Sequence, residues 1–285
     1  MTDEQLNEEL RKGKLHKAAG TALVLLGVAI ALAGAIKGFS MPLIIAGVII
    51  FSLGKAVQSK SKDSASRQAF DTIVPELVKA AFEGVDFAPS VHLVDAKASN
   101  ILLPSHAYLS GSGYMKGTYR GLPTELCNIT LTDVDEFQRE ETGMWEKNER
   151  VVYTGQWMAC ETGQTLTAGL TIWPRDKLDK IFNSRAIKTD NEVFNKRFNL
   201  SYNDEQAVLR FLTQSRIERF LALADGVFTK FAVSLHEDGK LYIAAHSGRG
   251  FFDIGKGKES SSALRQRFSS ELKWFTDMID IFRPL

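Results

Sequence analysis

Cysteine and net charge are both scarce in this sequence, and each scarcity excludes a class of protein. Only two cysteines, Cys127 and Cys160, occur in 285 residues, which excludes a disulfide-rich secreted scaffold. We expect both to be small buried residues in a reducing compartment, and one disulfide between them is the alternative. Lysine and arginine total 35 against 34 aspartates and glutamates, so the net charge of +1 provides no electrostatic basis for nucleic-acid binding.

Catalytic and metal-binding motifs are also missing. Neither His-Glu-x-x-His nor Cys-x-x-Cys occurs, and the histidines are scattered along the chain. They are His16, His92, His106, His236 and His246. An acidic group lacks the spacing of a calcium loop, so we interpret it as a solvated face, with divalent-cation binding as the alternative. Its members are Asp133, Asp135, Glu136, Glu140 and Glu141.

One glycine-rich segment is similar to a phosphate-binding loop. Gly250 to Lys256 matches the first seven positions of that motif. Gly257 stands where a serine or threonine would hold magnesium, however, and Phe251 and Phe252 are too bulky for the interior of such a loop. We therefore interpret the segment as a flexible linker. The sequence predicts no catalytic residue, no cofactor-binding residue, no metal ligand and no cofactor.

Long apolar runs occur only near the amino terminus. Residues 18–36 and 43–54 carry no charge, and residues 37–42 separate them. As a helix the first run is roughly 28 Å long, close to the hydrocarbon thickness of about 30 Å. The short break makes the two helices antiparallel, so we predict a transmembrane helical hairpin over residues 18–54, with the lipid bilayer as a partner. A cleaved signal peptide and a buried helical pair in a soluble domain are the alternatives.

The hairpin prediction divides the chain into four parts. Residues 1–17 form a cytoplasmic N-terminal tail, 18–54 the hairpin, 55–66 a solvated linker and 67–285 a cytoplasmic domain. Basic residues on both flanks predict a multi-pass protein with both termini in the cytoplasm. They are Arg11, Lys12, Lys14 and Lys17 before the hairpin and Lys55, Lys60, Lys62 and Arg67 after it, against Lys37 alone in the turn.

Glycine recurs along both apolar runs at a spacing of seven residues. The repeated positions are Gly20, Gly27 and Gly34 in the first run and Gly47 and Gly54 in the second. Small residues let two helix backbones approach closely in lipid. The pattern favours packing of the two helices on each other, and a homo-oligomer through these faces is the alternative.

The pattern beyond the hairpin is typical of an α+β domain. Apolar residues at helical spacing predict a helix over residues 67–82, which Pro75 would kink or split. Short β-type segments follow, and then several helices and an Asp-Gly hairpin. The predicted strands are 101–103, 108–114, 117–120, 125–131, 150–160, 166–173, 227–235 and 240–246; the predicted helices are 176–182, 191–197, 204–212, 213–224 and 260–282. We expect mainly antiparallel strands packed with helices.

The carboxy-terminal half resembles a known family. Residues 192–204, 209–212, 217–221 and 239–244, followed by Phe251-Phe252, closely resemble the bacterial membrane-associated "domain of unknown function 3137" family. The resemblance covers roughly residues 155–252. It implies a bacterial origin, hence the inner (cytoplasmic) membrane, and no established activity or catalytic residue.

These observations together predict an interaction or scaffold module on a membrane. The hairpin would anchor a cytoplasmic domain that binds a protein partner whose identity the sequence does not indicate. No enzyme signature is present. A membrane-tethered enzyme and a small-ligand sensor, each with a site assembled from residues distant in sequence, are the alternatives.

Overall fold

The computed structural model describes residues 3–36, 40–87, 94–138, 143–164, 166, 168–175, 188–255 and 259–284. The chain divides into two compact units. The first comprises Met1–Leu77 and Phe252–Phe268, and the second comprises Val78–Phe251 and Ser269–Leu285.

Two long helices make up most of the first unit. Helix α1 spans Asp3–Ile36 and helix α2 spans Met41–Ala81. Helix α2 continues through residues 55–66, so the predicted linker is helical rather than irregular, and it also continues through Pro75. The tail that precedes the first apolar run is likewise helical from residue 3 onward.

Glycines form the contact between α1 and α2. Within the described parts of residues 18–36 and 41–57, the buried residues are all glycines. They are Gly20, Gly27, Gly34, Gly47 and Gly54, which we call the glycine seam. A Cβ atom at Gly27 would lie 2.6 Å from the Gly47 carbonyl oxygen, and one at Gly54 would lie 2.8 Å from the Gly20 carbonyl oxygen. The spacing of seven therefore serves packing within the chain, as the sequence favoured.

The glycine seam leads to a first prediction. We expect Gly47→Leu to separate the two helices, because a Cβ there would lie 2.6 Å from the backbone nitrogen of Ala31. Overpacking of this kind costs about 1–3 kcal/mol or more when backbone must move. In detergent micelles, amide hydrogen exchange across residues 41–57 should accelerate. Ala33→Leu, an enlargement smaller by one carbon on an exposed position of α1, should leave exchange unchanged. Slow exchange in both variants would show that the two helices do not depend on the glycine seam for their packing.

The second unit is built on one antiparallel sheet of eight strands. The strands are β1 (Glu83–Phe87), β2 (Tyr108–Tyr119), β3 (Leu122–Gln138), β4 (Trp145–Glu161), β5 (Leu170–Pro174), β6 (Phe198–Tyr202), β7 (Phe231–Leu235) and β8 (Lys240–His246). Their order across the sheet is β1-β2-β3-β4-β8-β7-β5-β6. The predicted mixture of helices and antiparallel strands is confirmed.

Phenylalanines fill one face of the sheet, which we call the helix face. Phe198 of β6 and Phe231 of β7 contact Phe220, with ring centroids 5.1 and 5.4 Å apart. The covering helices are α3 (Glu192–Arg197), α4 (Glu205–Phe211), α5 (Gln214–Ala224) and the carboxy-terminal part of α6 (Ser261–Phe282). Three of them begin at side-chain caps, because Asn191, Asp204 and Thr213 each accept a hydrogen bond from a backbone amide three residues on.

The opposite face, which we call the Trp157 face, carries a second apolar cluster. Trp157 and Cys127 are paired across β4 and β3, and both are fully buried. Residues 94–103 cover this face with Val94, Ala96 and Ile101. Residues 101–103, predicted as a strand, are irregular and serve as this cover.

The other predicted helix bounds agree closely with the structure, and the predicted strand ends agree less closely. Helices α3 to α6 and strand β8 lie within one residue of their predicted bounds. Residues 108–119 form one strand rather than the two that were predicted. The bulge between Ser112 and Met115, with Gly113 at φ +64°, interrupts the alternation of side chains but not the pairing with β3. Strands β1 and β6 are absent from the predicted strands. The predicted helix 176–182 lies outside the described residues.

Candidate functional site

Three hydroxyl side chains form a row across neighbouring strands on the Trp157 face. Thr171 of β5 pairs with Ser201 of β6 on one side and with Ser234 of β7 on the other. Ser234 in turn pairs with Tyr242 of β8, which belongs to the apolar cluster. The hydroxyls of Thr171 and Ser234 lie 2.9 Å apart and hydrogen-bond each other. We call these three residues the hydroxyl row.

A cavity of about 550 Å³ lies over the hydroxyl row. Trp173, two residues beyond Thr171, provides an aromatic wall, and Asn100 and Leu102 of the irregular segment line it as well. The remaining lining residues come from the ends of β5, β6 and β7. They are Gly169, Leu170, Tyr202, Asn203, Leu235, His236, Glu237 and Asp238. The volume is typical of small-molecule sites, which mostly measure about 300–1,000 Å³.

The turn after β7 holds the polar groups at the cavity rim. The His236 ring nitrogen Nε2 lies 3.2 Å from the Ser99 carbonyl oxygen, which suits donation of its proton there. Glu237 accepts a hydrogen bond from Asn203 Nδ2 at 3.3 Å, and Asp238 accepts one from the Lys240 backbone amide at 3.0 Å. Side chains at the rim are thus held in place by neighbours on three segments of the chain.

The other described histidines are dispersed. His106 Nδ1 lies 2.8 Å from the Pro104 carbonyl oxygen, and His246 packs edge-on against Tyr153 with ring centroids 4.8 Å apart. Desolvation and then the charge of Lys230 lower the pKa of His246, which keeps its ring neutral at pH 7. His92 lies outside the described residues. Among the described residues, no group of three or more histidine, cysteine or acidic side chains has metal-binding geometry.

The acidic group forms cross-strand ion pairs in the part that the structure describes. Asp133 lies 3.6 Å from Arg150, and Glu136 lies 2.7 Å from Lys147, along β3 and β4 beyond the end of β2. Glu136, Lys147 and Arg150 are solvent-exposed, and Asp133 is partly buried. Glu140 and Glu141 lie outside the described residues.

The glycine-rich segment 250–256 begins with packed residues rather than an open loop. The Phe251 backbone amide donates to Asn128 Oδ1, and the Phe251 ring packs on Phe275, with centroids 5.0 Å apart. Just before it, Arg249 forms an ion pair with the fully buried Glu271 at 2.7 Å. Lys256 and Gly257 lie outside the described residues.

The two cysteines are free and buried, as expected. Burial raises the pKa of Cys127 to about 12 and that of Cys160 to about 11, so both thiols are protonated at neutral pH. Cys127 pairs with Trp157 across the sheet, three positions from Cys160, so the two thiols point to opposite faces. This geometry excludes a disulfide between them.

Comparison with known families identifies the carboxy-terminal half. Residues 151–283 match the family model DUF3137, described as a protein of unknown function. This part of the chain is a DUF3137 domain. The domain extends from β4 through α6, further than the roughly 155–252 over which the sequence resemblance was seen. Its bounds include the hydroxyl row and most of the cavity lining, while Asn100 and Leu102 precede it.

Comparisons with individual proteins add little to the DUF3137 match. No curated protein sequence matches the chain. Among solved structures, the mycobacterial trehalose monomycolate transport factor A, TtfA, matches over 77% of this chain and 97% of that chain. The identity is 9% and the TM-score 0.38, a level that carries no conclusion about fold or function.

The cavity residues of the DUF3137 domain were not singled out from the sequence as a site. For residues 236–239 the sequence predicts only a hairpin turn. A signal is nevertheless present in the sequence. Thr171 and Ser234 are polar residues within short, otherwise apolar strands, and Ser201 lies two residues after Asn199 in β6. Polar side chains at alternate positions indicate a second sheet face that is not packed like the first.

Proposed function

We propose that the protein is a membrane-anchored module that presents its DUF3137 domain to a protein partner in the cytoplasm. The observation that carries the proposal is the exterior of the paired helices α1 and α2. Glycines are buried in the seam, while large apolar side chains are exposed around it. They are Leu25, Leu26, Val28, Leu32, Ile36, Met41, Leu43, Ile45, Val48, Ile49 and Leu53. Burial of such a surface in lipid removes it from water.

Helix length supports insertion of α1 into a membrane and, less strongly, insertion of the first part of α2. Residues 4–36 of α1 are long and apolar enough to cross a membrane, and 17% of their most apolar stretch is buried within the protein. The apolar part of α2, Met41–Val57, has 17 residues, the lower end of the range for a span. The two-span hairpin in the inner membrane, with both termini in the cytoplasm, is the arrangement we propose, because the basic residues flank both helix ends.

The partner is proposed to be a protein rather than a nucleic acid, because the net charge is only +1. A homo-oligomer through the helices would have to use faces other than the glycine seam, which is occupied within the chain. A membrane-tethered enzyme remains the alternative function.

Reporter fusions test the anchor and its topology. We expect alkaline phosphatase fused after Leu285 to be inactive and a fluorescent protein at the same place to be fluorescent, because two spans return the chain to the cytoplasm. Both fusions should sediment with membranes and resist extraction at high salt. Active phosphatase would show a single span or a cleaved signal peptide, and a fusion in the soluble fraction would exclude the membrane anchor. Deletion of residues 18–54 from the fluorescent fusion is the matched control and should release it from membranes.

A further inference from the structure

We infer that the cavity over the hydroxyl row is a binding site for a small organic cation, an amine or a guanidinium compound. This function is separate from the proposed membrane anchor and does not depend on it. The inference rests on the charge of the lining, on the chemistry of its floor and on its aromatic wall.

The charged side chains among the described lining residues have one sign. Glu237 and Asp238 bring two carboxylates to the rim, and none of the described lining residues is a lysine or an arginine. Lys240, next to the turn, lies over the Tyr242 ring, with Nζ 5.4 Å from the ring centroid. Phosphates and other anions are therefore disfavoured at this rim, and cations are favoured, because the two exposed carboxylates repel negative charge and attract positive charge.

The floor of the cavity accepts hydrogen bonds. In the mutual bond between Thr171 and Ser234, the hydroxyl oxygen of the half-buried Thr171 keeps acceptor capacity toward a ligand, while the buried Ser234 holds that hydroxyl in place. The N–H groups of an ammonium or guanidinium ion need such acceptors when they leave water. Asn100 and Asn203, whose side chains each carry an amide oxygen, also line the cavity.

The aromatic wall provides a further contact for a cation. Trp173 lines the cavity and is only partly buried, so part of its indole is accessible from the cavity. An indole face attracts a cation through its quadrupole, and this attraction is stronger for tryptophan than for other aromatic residues. Together, carboxylates, hydroxyl oxygens and an indole provide the groups that recognise an organic cation.

Binding measurements with simple probes test the inference on the full-length protein in detergent. Agmatine, which carries a primary amine and a guanidinium group, is titrated by calorimetry, with glucose and inorganic phosphate as the neutral and anionic probes. We expect saturable binding of agmatine and none of phosphate. Raising the salt concentration should weaken agmatine binding, since screening reduces attraction between partly exposed charges.

The decisive variant is the double change Glu237→Gln with Asp238→Asn. Both replacements keep the side-chain size and the oxygen that accepts from Asn203 or from the Lys240 amide, so the turn should be retained. Loss of both charges should weaken agmatine affinity at least about tenfold. The matched control, Glu83→Gln with Asp86→Asn, removes two exposed carboxylates from β1 at the opposite edge of the sheet and should leave affinity unchanged.

A second variant tests the location by occupying space. Ser201→Phe places a large side chain of high β-propensity on the exposed edge strand, and it should abolish agmatine binding without unfolding the domain. Three results would overturn the inference. They are no agmatine binding up to about 10 mM, unchanged affinity in either the double or the Ser201 variant, and glucose binding that survives removal of both carboxylates, which would assign the cavity to a neutral polyol.

Discussion

Replacement of Phe220 by alanine should cost the DUF3137 domain about 3–5 kcal/mol of unfolding free energy. The Phe220 side chain is 2% exposed, and its ring contacts those of Phe194, Phe198, Phe231 and Phe282. These rings come from two strands and two other helices, so none can move alone to fill the cavity left behind. The loss approaches the whole stability of a marginal domain, about 5–15 kcal/mol.

Urea unfolding followed by tryptophan fluorescence measures this loss. Phe137→Ala, which removes the same group from a side chain that is 46% exposed on β3, should change the free energy of unfolding by less than about 0.5 kcal/mol. Similar losses in the two variants would show that Phe220 is not at the centre of the helix face.

Arg249→Ala should be comparably damaging, for an electrostatic reason. Arg249 Nη2 lies 2.7 Å from Oε1 of Glu271, whose side chain has no exposed surface. Removal of the arginine takes away the positive charge that is paired with a buried carboxylate, which typically costs about 3–5 kcal/mol. Glu271→Ala should cost less, because the Arg249 side chain is 36% exposed and water can solvate its charge.

A double variant separates charge from packing in this pair. Arg249→Met combined with Glu271→Leu should recover most of the stability lost in Arg249→Ala, because a buried ion pair exchanged for apolar residues is often neutral in free energy. Lys273→Ala, which breaks an exposed ion pair with Asp277 on the same helix, should cost less than about 0.5 kcal/mol in the same urea assay. If Arg249→Ala were as mild as Lys273→Ala, the pair would not be a buried stabilising contact.

The sequence alone was sufficient to predict those elements whose formation depends on neighbouring residues in the chain. The sequence predicted the starts of α3, α4 and α5 to within one residue. The structure shows local caps there, because the side chains of Asn191, Asp204 and Thr213 each bind a free amide within the first turn. The Asp-Gly turn before β8 was predicted for the same reason, since Gly239 adopts φ +87°. The glycine spacing also indicated its own role, because close backbone approach requires residues without side chains.

The conformation of other segments depends on partners that are distant in the chain, so it became apparent only from the tertiary structure. Residues 55–66 read as a polar linker, but α2 continues through them to Ala81. Residues 101–103 are apolar enough for a strand, but they cover the Trp157 face instead, because Ile101 joins the cluster there. Residues 83–87 form strand β1 because their backbone pairs with β2, about thirty residues away.

The candidate site shows this division most clearly. The sequence by itself determined that Thr171, Ser201 and Ser234 are polar residues among apolar neighbours, that the cysteines are few, and that the apolar runs lie at the amino terminus. Only the strand order β7-β5-β6 placed the three hydroxyls in one row, and only the return of residues 99–102 to that face closed a cavity over them. Hydrogen-bond register between distant strands is set by the whole sheet, so no local pattern contains it.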